Sequence, residues 1–319
     1  MKLLLLLTTL LPSTLAAKLT TVYQFPNGTW LENLALTRNA SILVSLIGTP
    51  QVHIVHPHTT PATSSLVATF PNATAVLGIT SLTPTHDLFA VAVGTAIPPN
   101  SIVPGSFSIW TVALTSTGPA RVHKLVALHN MQMANGVALI NPHTLLLADP
   151  LAGNIVKLDL RSKAYDVVLE HPTLDANLSS TLPLGVNGVR IHKDYLYYSN
   201  SVQSLLGRVR INMHTGSAIG AFETITSGAN VREPDDFAVR RDGSVVLARP
   251  LGDALVKIGV DGQVETVASG GAVSGATSVV LGGENVVFLS TSGLREEEVL
   301  FLINKKLFLI LRTLTSYSY

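Results

Sequence analysis

The chain contains no cysteine. Disulfide staples and every thiol mechanism are therefore excluded, and 319 residues must hold together by a packed core. Charge is scarce too: Asp, Glu, Lys and Arg make up 13% of the chain, and the net charge is +1 with no Lys/Arg cluster. That leaves no electrostatic footprint for nucleic acid or for an anionic membrane. A Gly-rich phosphate loop opening a helix, a Gly-x-Ser-x-Gly elbow and sustained helical periodicity are all missing as well. The run Ser269-Gly270-Gly271 precedes strand-like sequence, so nucleotide binding and serine-triad hydrolysis lack support.

What is present is a repeat. Six times a polar or glycine-led step runs into an apolar strand, a tight turn and a second apolar strand, at a spacing of roughly 42 to 56 residues. The copies open near Glu32-Asn33-Leu34, Gly78-Ile79-Thr80, Asn135-Gly136-Val137, Asn187-Gly188-Val189, Asp235-Asp236-Phe237 and Ala276-Thr277-Ser278. Their joints, such as Arg38-Asn39-Ala40, Asn141-Pro142-His143 and Arg240-Arg241-Asp242-Gly243, carry hairpin turn chemistry. A third and a weaker fourth run follow most copies, as in Gly153 to Asp159 and Gly207 to Asn212. Four-stranded modules that must bury both faces against neighbours predict an all-β fold, a six-bladed β-propeller of four-stranded blades. A hydrophobic content of 47% suits strands covered on both sides.

The ends differ from the repeat. Met1-Lys2, the apolar run Leu3 to Leu7 and the small residues Thr14-Leu15-Ala16-Ala17 predict a secretory signal peptide over 1–17. Sequons at Asn27, Asn39, Asn72 and Asn177 are then candidate N-glycosylation sites, and the expected destination is secreted or vesicular. The propeller is expected over 18–294 as a single domain, with an irregular end over 295–319 that holds either last-blade strands or a divergent tail. Neither apolar run of that end, divided by Lys305-Lys306, reaches the roughly 18 to 20 residues of a membrane span.

A propeller brings the start of each innermost strand to one central channel. Glu32, Thr80, Asn135, Asn187, Asp235 and Thr277 are the residues placed there. Two carboxylates and two amides facing one axis suit a divalent cation, Ca²⁺, Mg²⁺ or Mn²⁺. The same side chains suit a water-filled channel that caps strand ends. The residues alone leave both open. An alternating His pair within His53-Ile54-Val55-His56-Pro57-His58 offers no third ligand, and the stretch falls where an outer strand and its turn are expected.

The stretches Phe25 to Ala35, Asn135-Gly136, Ala148 to Ile155, Gly185 to Val189, Asp235 to Ala238 and Ala276 to Ser278 resemble the gluconolactonase/regucalcin-like propellers, in particular their secreted fungal branch. The resemblance implies a ring closed by an N-terminal strand, here Thr20 to Gln24. It also implies that Glu32, Asn135, Asn187 and Asp235 hold a divalent cation (Ca²⁺, Mg²⁺, Mn²⁺ or Zn²⁺), with Asp235 doubling as general base of a lactonase or esterase.

Two departures point away from sugar lactones. The third-blade segment reads Asn130-Met131-Gln132-Met133-Ala134-Asn135, so Met131 and Met133 stand where lactonases carry a polar clamp. Asp236 replaces the glycine expected after Asp235. The fungal branch includes hetero-Diels-Alderases of secondary metabolism, which join an o-quinone methide, derived from a tropolone or phenol, to a terpene alkene. Such chemistry needs a bowl for two apolar partners and hydrogen-bond donors on the heterodiene oxygen. On this reading Asp235, Asp236, Asn187, Asn135 and His129 are the candidate catalytic groups, and Met131, Met133, Thr80 and Thr277 line the pocket. A metal-dependent lactonase acting on a lactone, or a non-catalytic propeller that binds a small molecule, are the alternatives. The expected partner is a small apolar polyketide or terpenoid, and the expected state is a monomer.

Overall fold

The computed structural model describes residues 18–97, 101–283, 286–293 and 299–304. The expected signal peptide and the second apolar run of the C-terminal end lie outside the described residues.

The described chain is all-β, as expected, with two single-turn 3₁₀ helices, Ala229–Val231 and Gly271–Val273. Antiparallel strands come in groups of four. Trp30–Leu36, Ile42–Ile47, Gln51–His56 and Thr63–Thr69 form the first unit, and Ala75–Ser81, Leu88–Gly94, Ser108–Ala113 and Arg121–Ala127 the second. The two merge into one eight-stranded sheet through a single pairing of Ile47 with Ala75. The third unit is Val137–Asn141, Thr144–Asp149, Asn154–Asp159 and Tyr165–Glu170, and the fourth is Val186–His192, Tyr195–Asn200, Leu205–Ile211 and Ala218–Ser227. Phe237–Val239, Val245–Arg249, Ala254–Ile258 and Val264–Ser269 make the fifth.

The last unit draws on both ends of the chain. Ala276–Leu281 and Val286–Thr291 pair with Val299–Asn304, and that strand pairs in turn with Lys18–Gln24. The run after the charged residues 295–298 is therefore the third strand of a sheet. Its partners on both sides satisfy its backbone groups.

Alternation alone would bury one face of each strand, yet the second strands are buried throughout: Ile42–Ile47 and Thr144–Asp149 expose neither face. The reason is sheet-on-sheet packing. Val76, Ile79 and Phe89 of the second unit meet Leu43 and Val52 of the first, while Val186, Leu196 and Tyr198 of the fourth meet Leu146 and Ile155 of the third. Phe288 and Val280 of the last unit meet Leu31 and Leu34 of the first. Each such side chain fully buried contributes about 1.5–3 kcal/mol.

Candidate functional site

The innermost strands are broken where the candidate residues sit. Pairing slips between Leu31 and Leu34, between Val186 and Val189, and between Ala276 and Ser278. These bulges bracket Glu32, Asn187 and Thr277. Asn135 and Asp235 lie just ahead of their strands, Val137–Asn141 and Phe237–Val239. A bulge turns a side chain out of the sheet plane and leaves a backbone donor without its ladder partner.

Serine on the second strand repairs that loss. The backbone N–H groups of Asn33, Gly188 and Ser278 donate to the hydroxyls of Ser45, Ser199 and Ser290 at 2.9, 2.9 and 3.2 Å. Those hydroxyls donate onward to the carbonyls of Leu77, Asp235 and Glu32 on the neighbouring unit, at 2.7, 2.5 and 3.2 Å. Where the equivalent residue is Ala148 or Ala248, the bond between units is direct: Gly136 N–H to Asn187 O at 3.2 Å, and Asp236 N–H to Thr277 O at 3.1 Å. Such close approach needs glycine, because a Cβ on Gly136 would lie 2.3 Å from the Asn187 carbonyl. Glu32, Asn187, Asp235 and Thr277 are thus held through their backbones as well as their own strands.

Around them lies a cavity of about 310 Å³. Glu32, Asn135, Asn187, Asp235 and Thr277 line it, together with Met133, Trp30, Leu182, Leu184, Pro250 and Leu251. The Asn135 carboxamide donates to Asn187 Oδ1 at 2.5 Å, and Asn187 Nδ2 donates to Ser201 Oγ at 3.0 Å. Trp30 Nε1 donates to Glu32 Oε2 at 3.2 Å. Burial pushes the Glu32 carboxyl up to about 8, with repulsion from Asp236 adding to it and the Trp30 bond opposing. Asp235 is also held well above the usual carboxylate range, by burial first and then by the charges of Glu32 and Asp236, against a hydrogen bond from Asn187. At neutral pH the floor of the cavity therefore keeps at least one proton.

The structure corrects four placements. Asp236, 1% exposed, faces away from the cavity: its Oδ2 accepts from Arg190 and from the Ser278 hydroxyl, and Oδ1 has no partner among the described residues. It is a buried ion-pair member, since consecutive side chains of an extended segment point to opposite sides and Asp235 takes the cavity side. Met131 packs in the core against Leu128 and Phe107 and does not line the cavity. His129 is exposed, outside the lining, because it stands with Asn130 in a surface turn from which the chain dips back into the core at Met131. Thr80 lines a separate cavity of about 460 Å³ with Leu36, Pro84 and Arg190. The slip between Val76 and Ile79 makes Leu77, ahead of Gly78, the counterpart of Asn135 ahead of Gly136 and Asn187 ahead of Gly188.

Other lining residues escaped the sequence reading. Trp30 stands two residues before Glu32, a spacing that alternation could have flagged. Leu182 and Leu184 come from a loop, and Ser292, whose buried Oγ has no partner among the described residues, follows a strand end. Glu233 adds a third carboxylate at the wall. Among the described residues no group of three or more His, Asp or Glu side chains is arranged to hold a metal ion. A cation here would need the amide oxygens of Asn135 and Asn187 besides the two floor carboxylates. That set, two hard anionic oxygens that repel each other and two amide oxygens, fits a divalent ion.

The sequons Asn27, Asn39, Asn72 and Asn177 are all exposed. Among the described residues no helix is long and apolar enough to cross a membrane.

No family model matches the chain. It is 28% identical over 219 residues to a protein of Sarocladium schorii provisionally named hetero-Diels-Alderase asR5, covering 60% of this chain and 53% of that one. The chain thus spans about half the length of this curated relative. In fold it is similar to a gluconolactonase of Xanthomonas campestris, with TM-score 0.64, 14% identity, and 90% of this chain and 89% of the other covered. It is likewise similar to the calcium-binding protein regucalcin of Agrobacterium tumefaciens, with TM-score 0.61, 13% identity, and 91% and 93% covered. In sequence the chain resembles a hetero-Diels-Alderase, and in fold it is a propeller of the gluconolactonase/regucalcin-like kind.

Proposed function

We propose that the four-stranded units are blades of a six-bladed ring, closed by Lys18–Gln24 on the last blade, and that the cavity above Glu32 and Asp235 is an enzyme active site. The reaction is a hetero-Diels-Alder addition of an o-quinone methide to a terpene alkene. One observation carries this: an apolar-walled cavity stands over a carboxyl that burial keeps protonated, with no Lys, Arg or His in the lining.

Trp30, Met133, Leu182 and Leu184 hold two apolar partners side by side, which supplies proximity. Glu32 donates its proton as a hydrogen bond to the heterodiene oxygen, where negative charge gathers as the ring closes. The same acid serves the preceding loss of water. Glu32 protonates the departing hydroxyl of a hydroxymethyl phenol, and the Asp235 carboxylate takes the phenolic proton, so that water leaves and the o-quinone methide remains; the proton then passes from Asp235 back to Glu32, which restores the donor before the ring closes.

The repelling carboxylate pair favours a second reading, a metal-dependent lactonase. Glu32, Asn135, Asn187 and Asp235 would hold the ion, which when bound would polarise a lactone carbonyl. Asn187 Oδ1 now accepts from Asn135, so joining the ion would mean releasing that bond.

One assay separates the two. With a hydroxymethyl tropolone or phenol and a humulene-type sesquiterpene, the expected result is one dominant cycloadduct stereoisomer, formed equally well in chelator. The uncatalysed isomer ratio would overturn the cycloaddition reading, and chelator-sensitive turnover of a lactone would establish hydrolysis instead.

We further propose that a leader over 1–17 and glycans on the exposed sequons take the chain through the secretory route, and that it acts as a monomer. Protein purified from a eukaryotic host should begin near Lys18 and lose mass on enzymatic removal of N-glycans; an unprocessed, unglycosylated chain would refute this.

A further inference from the structure

Glu233 is held in the left-handed region, at φ 50°, where a side chain is strained and glycine is not. Its neighbours leave it no way out. Arg249 Nε donates to the Arg232 carbonyl at 3.2 Å, the Glu233 N–H donates to Ser204 Oγ at 3.2 Å, and Ser201 Oγ donates to the Pro234 carbonyl at 2.7 Å. The Asp235 N–H is bonded to Ala248 O at 3.0 Å. Four successive residues are pinned by other segments, and the side chain that emerges lines the cavity. Its ion pair is to Arg232 at 3.4 Å, a residue whose side chain is 67% exposed and which does not line the cavity. A glycine would satisfy the backbone at less strain. A carboxylate there earns its place through what enters the cavity.

We propose that Glu233 is a specificity-determining residue: it accepts a hydrogen bond from a hydroxyl or ammonium group on the outer end of an apolar ligand and rejects anionic ligands. The cavity has no cation of its own to offset such an anion, since its lining lacks Lys, Arg and His. This rests on the reading of the cavity as the ligand site, but not on any particular reaction.

The test uses three probes of one shape: adamantane carrying a hydroxymethyl, an aminomethyl or a carboxylate group. The chain has two tryptophans; Trp110→Phe leaves Trp30, in the cavity wall, as the fluorescent reporter. In that background the alcohol and the ammonium should bind about tenfold or more tightly than the carboxylate. Comparison of alcohol with ammonium tells which donor is preferred. Glu233→Gly should shrink the alcohol-to-carboxylate ratio by about tenfold while the melting temperature holds or rises; Glu233→Gln should keep alcohol binding and admit the carboxylate. A residue with only a structural role would lower the melting temperature of Glu233→Gly and leave the ratio alone, and that result would overturn the proposal. So would equal affinities of the three probes for the protein with Glu233 intact. If no probe moves Trp30 emission, the cavity itself fails as a ligand site and the proposal falls with it.

Discussion

Arg190→Met should lower stability by on the order of 3–5 kcal/mol. Asp236 is 1% exposed, and the guanidinium of Arg190, itself only partly exposed, is the charge that lies against it. Burial raises the Asp236 carboxyl above its usual range, and Arg190 is the first of the groups that pull it back. Without that partner an ionised carboxylate would stay buried beside Gly188 and Ser278. The chain would take up a proton instead, which limits the loss at low pH. The deficit should therefore be larger at pH 8 than at pH 5. For a domain of this size it corresponds to about 10 °C in melting temperature. Asp236→Asn in the same background removes the unpaired charge and should restore most of the loss. A thermal melt of the three proteins at both pH values decides it. An Arg190→Met protein as stable as its parent would show that Asp236 is neutral without help.

Glu32→Gln should have opposite effects on stability and turnover. In chelator, the native Glu32 carboxyl keeps its proton up to about pH 8, whereas in the unfolded chain it ionises near the ordinary value of 4.5. Below 4.5 both states carry the proton and the group contributes nothing to pH dependence. Between the two values the native state binds more protons than the unfolded one, so stability falls as pH rises through this window and levels off above it. The shift amounts to roughly 3–5 kcal/mol between pH 5 and pH 8.5. Asp235, raised in the same direction, adds to the slope. Gln cannot ionise, and it relieves Asp235 of a repelling neighbour. The variant should melt higher than its parent at pH 8.5 and show a flatter profile. Its cycloadduct formation should fall by about 10²-fold or more, because the proton donor is gone. Equal pH profiles for parent and variant would remove Glu32 as the buried acid.

Much of this molecule was legible in the chain. The turns Arg38-Asn39-Ala40 and Arg240-Arg241-Asp242-Gly243 join strands where expected, with Ala40 at φ 59° and Gly243 at φ 87°. Asn135-Gly136 and Asn187-Gly188 were readable as one device, since the glycine admits the neighbouring carbonyl. Glu32, Asn135, Asn187, Asp235 and Thr277 do meet in one cavity. Thr80 and Asp236 were misplaced for different reasons. The slip between Val76 and Ile79 puts Thr80 past the turn-out point, and Asp236, one residue after the cavity-lining Asp235, points to the other side of its segment. Nothing in the local sequence marks where a bulge falls; the serines on the adjoining strand hold it there.

Composition and the repeat by themselves determined an all-β, cysteine-free chain of strand hairpins with polar residues at each opening, because turn chemistry and burial patterns act over a few residues at a time. Which polar residues face the cavity, which one is neutralised by Arg190 and which carboxyl stays protonated were decided only in three dimensions. Burial and charge repulsion act between Glu32, Asp235 and Asp236, and folding brings Glu32 to the other two from some 200 residues away. The rim carboxylate of Glu233 belongs to the same class: its strained conformation is enforced by Ser201, Ser204 and Arg249, contacts that no reading of its own segment contains.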